Sequence, residues 1–107
     1  MSKLLINEPP LQVLPSLAAK IGLNEAIFLQ QLHYWLQRSS VEALDCRWVY
    51  NTTGDWAEQF PFWSEKTIRR TVDSLREQGL VSTVRLKAGT HDQTLFYTIA
   101  YGQLDNL

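Results

Sequence analysis

PFWSEKTIRR, Pro61 to Arg70, holds a helix stop and a helix start within four residues. Pro61 lacks the N–H that a continuing helix needs. Ser64 is a preferred N-cap, and Glu65 behind it suits the positive end of a new helix. Upstream, Thr52 and Asp55 stand three apart, as an N-cap and its N3 carboxylate do. Trp56 and Phe60 follow one turn apart, so a short helix is expected before the turn. Downstream, Ile68, Val72 and Leu75 recur at helical spacing and Gly79 suits the C′ position. LVSTVRL (80–86) and TLFYTIA (94–100) are β-rich and flank the turn-like KAGTHDQ, which predicts a hairpin. Short helix, turn, longer helix and hairpin, in that order, predict an α+β, mostly helical domain: a winged helix-turn-helix with a C-terminal β-hairpin wing.

The N-terminal half fits the same small domain. KLLIN (3–7) predicts a short strand, broken by Pro9 and Pro10. Pro15 can open a helix that Gly22 closes. Asn24 is expected to cap the next helix, EAIFLQQLHYWLQR (25–38). There Phe28, Leu32, Trp35 and Leu36 share a stripe, with Leu29 beside it. Ile27 and Tyr34 lie off the stripe, free to pack under another element or to meet a partner. SSVEALDC (39–46) reads as a loop and RWVYN (47–51) as a strand.

At 107 residues, one domain spanning 1–107 is expected. The four tryptophans read mainly as core, with Trp63 partly exposed in its turn. The single Cys46 allows no internal disulfide, which suggests a reducing compartment; it reads as a loop or half-buried thiol. No apolar run resembles a signal peptide or a membrane span, so a soluble, intracellular protein is expected. His33 has no second metal ligand one turn away. No phosphate loop, nucleophile elbow or zinc spacing occurs. Neither an enzyme nor a cofactor is expected.

Ten basic and eleven acidic residues give a net charge of −1, which argues against sequence-blind nucleic-acid binding. The helix after Ser64 concentrates its positive charge locally. On a helical wheel Lys66 and Arg70 point away from Ile68, Val72 and Leu75. Arg69, Thr67 and Ser74 flank them, and Asp73 and Glu77 follow further along. Basic residues in the first turns of such a helix suit the DNA major groove, where arginine can grip guanine. The candidate contacts to double-stranded DNA are Ser64, Lys66, Thr67, Arg69, Arg70 and Ser74, with Arg85, Lys87 and His91 added by the wing.

LLINEPPLQVLPSLAAKIGLNEAIFLQQLHYWL, RWVYNTTGDWAEQFPFWSEKTIRRTVDSLREQGLV and YTIAY together resemble the N-terminal winged-helix domain of phage replication initiators. These are replisome organisers related to DnaD-type primosomal proteins. PLQVLPSLA, NEAIFLQQLHYWL and QFPFWSEKTIRR are the most specific parts. The resemblance implies binding to origin DNA, help in recruiting the helicase loader or helicase, and a homodimer or higher homo-oligomer in the cytoplasm of a bacterial host. Family members continue past the strand that matches YTI. The wing turn here is also less basic than the family's. The alternative is a small stand-alone phage winged helix that binds and inhibits a host protein or regulates transcription.

Overall fold

Side-chain caps at Thr52 and Ser64, Pro15 and the left-handed Gly22 and Gly79 set several of the element boundaries. The computed structural model describes residues 10–85 and 95–107. KLLIN, Lys87, His91 and the wing turn lie outside them. Among the described residues the protein is an α+β fold of five helices and two small antiparallel sheets. No described helix is long and apolar enough to cross a membrane.

Helix α1 (Pro15–Ile21) has Pro15 in its first turn and ends at Gly22, whose φ of 112° favours glycine. Helix α2 (Leu23–Leu36) starts at once, with Gly22 itself as N-cap. Asn24 therefore lies inside α2 and does not cap it: the one-residue link leaves no room for a separate cap. The segment expected as a loop holds a two-residue hairpin, β1 (Glu42–Ala43) and β2 (Cys46–Arg47). Its turn residues Leu44 and Asp45 both have positive φ, 54° and 62°. That is the geometry Asn-Gly prefers. Replacing Leu44-Asp45 by Asn-Gly should stabilise the fold by about 1 kcal/mol, read from the urea midpoint. Cys46 is exposed in β2.

Strand β3 (Val49–Asn51) leads into α3 (Thr53–Gln59). The expected capping box is present. Asp55 N–H donates to Thr52 Oγ1 at 3.0 Å, and Thr52 N–H donates to Asp55 Oδ2 at 2.9 Å. Thr52→Ala should cost about 1 kcal/mol in thermal unfolding. Helix α4 (Glu65–Glu77) is followed by Gly79 at φ 75°, then β4 (Val81–Arg85) and β5 (Leu95–Ile99). The sheet order is β3-β5-β4, all antiparallel. A short helix that the sequence did not suggest, α5 (Tyr101–Asp105), ends the fold. Gly102 disguises it, since glycine is a poor helix former. Tyr101 holds α5 to α2 through a 2.8 Å hydrogen bond between its hydroxyl and His33 Nδ1.

The core gathers Phe28, Leu32 and Leu36 from α2, Trp56 and Phe60 around α3, Ile68, Val72 and Leu75 from α4, and Tyr97 and Ile99 from β5. Phe28 lies at its centre, with ring centroids 4.8 Å from Trp56, 5.7 Å from Phe60 and 6.3 Å from Tyr97. Ile27 packs against this cluster, while Tyr34 stays exposed. Trp48 and Trp56 are buried and Trp63 half-buried, as expected. Trp35 is not core: it is 38% exposed. It stands in the last turn of α2, and its indole N–H donates to Gln59 at the end of α3, 2.7 Å away.

Burial holds the Tyr97 and Tyr101 hydroxyls above the ordinary tyrosine pKa. Raised folded-state values mean that their contribution is complete below about pH 10, the unfolded value, and is lost as pH climbs through the folded values. Stability should therefore start to fall above about pH 10, measured by urea unfolding across pH.

Candidate nucleic-acid interface

Helix α4 is positioned by its buried face. Ile68, Thr71, Val72 and Leu75 turn into the core, and the Thr71 hydroxyl donates to the Thr67 carbonyl at 2.8 Å. The rest of the helix faces outward. Lys66, Arg69 and Arg70 are all exposed in its first two turns. Lys66 and Arg70 are four apart and so stand over one another on the same face. The ion pairs found among the described residues are Arg47–Glu42 and Arg76–Asp73, so none occupies these three cations.

Ser64 is exposed, and its Oγ is engaged at home. It accepts the Thr67 N–H at 3.1 Å and lies 3.0 Å from the Thr67 hydroxyl. Both side chains keep spare hydrogen-bonding capacity, but their first task is the helix start. The Ser74 hydroxyl accepts from Gln78 Nε2 at 3.3 Å. Of the acidic residues, Glu65 stands beside Lys66 in the first turn, and Asp73 and Glu77 sit in the other half of the helix. Asp73 and Glu77 border a cleft between α4 and β4 together with Arg76, Ser82 and Thr83. Asp73 Oδ1 is 3.6 Å from Arg76 Nη1. Lys66, Arg69 and Arg70 thus stand with Glu65 at the front, without an ion pair to a described residue, and Asp73 and Glu77 lie behind with Arg76.

Arg85 closes β4 opposite Leu95 and is exposed. It stands four residue steps along the strand from Val81, about 13 Å. No hydrogen bond or ion pair found among the described residues ties it to α4. The structure therefore groups Ser64, Lys66, Thr67, Arg69 and Arg70 at one helix end, with Ser74 at the flank and Arg85 apart.

No family model, curated protein or solved structure matches the chain.

Sequence reasoning passed over one side chain of this surface. It expected Trp63 to be partly exposed, and Trp63 is half-buried against Phe60, with ring centroids 4.7 Å apart. Phe62 is the outward one, 60% exposed, two residues before the Ser64 cap. Alternation within a three-residue turn is not periodic, so no spacing rule could have separated the two.

Proposed function

We propose that the chain is a winged helix that binds double-stranded DNA through the first two turns of α4, as the DNA-binding part of a phage-type replication initiator. One observation carries the DNA reading. Lys66, Arg69 and Arg70 are exposed on the outward face of a capped helix and form no ion pair with a described residue, while the nearby Asp73 is tied to Arg76. An arginine so placed can donate two hydrogen bonds to guanine O6 and N7, and lysine can neutralise a phosphate. The Ser64 cap keeps the helix start rigid, which fixes the angle at which these side chains enter a groove. The β4–β5 hairpin is the wing, with Arg85 available to a phosphate. The replication role, with its helicase-loading partners and self-association, rests on the family resemblance of the sequence.

A single helix and hairpin offer about 600–1,000 Å² to DNA, as other single modules do. A net charge of −1 supplies little general attraction. The chain should therefore bind a one-site duplex no tighter than about micromolar at physiological salt. Duplexes with several spaced sites should bind much more tightly, because tethered sites raise effective concentration. Titrating one-site and multi-site duplexes tests this. Binding to neither would favour the alternative, a winged helix that inhibits a host protein.

A further inference from the structure

The outer edge of β3 forms a second surface among the described residues, distinct from the α4 face. β3 is an outer strand of the sheet, and its ladder fixes which groups point outward. Ala100 N–H donates to the Leu80 carbonyl, so the even-numbered residues of β5 bond β4 and the odd-numbered ones bond β3. Val49 and Asn51, opposite Tyr97 and Leu95, thus use their main-chain groups inside the sheet. Tyr50 between them aims its N–H and C=O away from it. Trp48 agrees with this direction: its N–H donates to the Val41 carbonyl and its carbonyl accepts from Ser39, both outside the sheet. Val41 and Ser39 cover the edge at Trp48, and among the described residues nothing bonds the outward main-chain groups of Tyr50.

That edge borders a cleft of about 290 Å³ walled by Trp35, Val41, Tyr50, Arg38, Asn51 and Gln59. Trp35 is held in place by its bond to Gln59, whose Oε1 also accepts from Gln31 at 2.7 Å. Arg38 stacks on the Tyr34 ring, 3.7 Å from its centroid, and donates to the Tyr34 carbonyl. No carboxylate lines the cleft and none pairs with Arg38 among the described residues. Tyrosine, tryptophan and arginine are the residues that dominate protein–protein hot spots.

We propose that this cleft binds an extended peptide segment of another protein by strand addition. The segment carries an aspartate or glutamate beside a bulky apolar side chain. Its backbone pairs with Tyr50, its apolar side chain lies between Trp35 and Tyr50, and its carboxylate meets Arg38. Main-chain pairing at a sheet edge supplies affinity, and the side-chain positions on either side supply selectivity. One guanidinium and no further free cation in the lining suit a carboxylate better than a nucleic-acid strand, which needs a continuous positive track.

The test is selection from phage-displayed random peptides of roughly seven residues, long enough at ~3.3 Å per residue to run along the edge. Recovered peptides should place an acidic residue within two positions of a large apolar one. Arg38→Glu should weaken a synthesised winner at least tenfold, and changing the peptide's acid to lysine should restore binding to that variant. The Tyr50 amide should exchange more slowly with deuterium in the complex. Arg38 is exposed, so the variant should melt as wild type; Trp35→Ala gives a second, uncharged disruption. Peptides without acidic residues, affinity indifferent to Arg38→Glu, or an unprotected Tyr50 amide would overturn the proposal. So would oligo(dT) that binds and is lost in Trp35→Ala, or a dimer that Arg38→Glu dissociates, since each assigns the cleft to another occupant.

Discussion

Phe28→Ala should lower the free energy of unfolding by about 3–5 kcal/mol, the range for a large aromatic side chain removed from a packed core. The Phe28 ring is fully buried and touches Trp56, Phe60 and Tyr97 at once, so α2, α3 and β5 all lose a contact. These neighbours are themselves large rings held by other elements and cannot easily collapse into the gap. Small domains have about 5–15 kcal/mol in total, so this one change removes a large fraction of the stability. Leu75→Ala, also fully buried, should cost about 2–5 kcal/mol. Urea unfolding measures both. A loss of a few tenths of a kcal/mol in Phe28→Ala would mean that the aromatic cluster is not the centre of the fold.

The second large effect belongs to α4. Arg70→Ala should cost about 1–3 kcal/mol of DNA affinity and relax the preference at one base position, as the loss of a bidentate guanine contact does. Lys66→Ala should weaken all duplexes more evenly, because a phosphate contact carries no sequence information. Lys66 and Arg70 are exposed and make no ion pair with a described residue, so the double variant should keep wild-type stability. Loss of binding without loss of stability separates this surface from the core.

The α+β class and the run of elements from Thr52 to Ile99 were legible because the signals are local. A capping box, a proline stop, a serine cap, a left-handed glycine and two β-rich runs each act within a few residues. The inner face of α4 was legible for the same reason, since Ile68, Val72 and Leu75 form an uninterrupted helical stripe. The misreadings arose where tertiary context decides. Asn24 has the chemistry of a cap, but Gly22 already links α1 to α2. Trp35 lies on the apolar stripe of α2, yet stands in its last turn, where a hydrogen bond to Gln59 holds it at the surface. Leu44 and Asp45 take a turn conformation that their residue types do not advertise. The charge separation along α4 followed from the wheel. The pairing of Asp73 with Arg76, which leaves the front cations alone, emerged only in space. The outer position of the edge at Tyr50 depends on sheet order, which no single strand encodes.

The central claim is that the front of α4 meets DNA. Its most direct test is fluorescence anisotropy of a labelled duplex, titrated with wild type and with the Lys66→Ala/Arg70→Ala variant over a range of salt. Each phosphate contact contributes about −0.9 to the slope of log affinity against log salt. Wild type should bind with a clear negative slope. The variant should bind more weakly, with a slope shallower by about one, the share of the Lys66 phosphate contact. Binding that ignores salt, or a folded variant whose affinity and slope match wild type, would contradict the account.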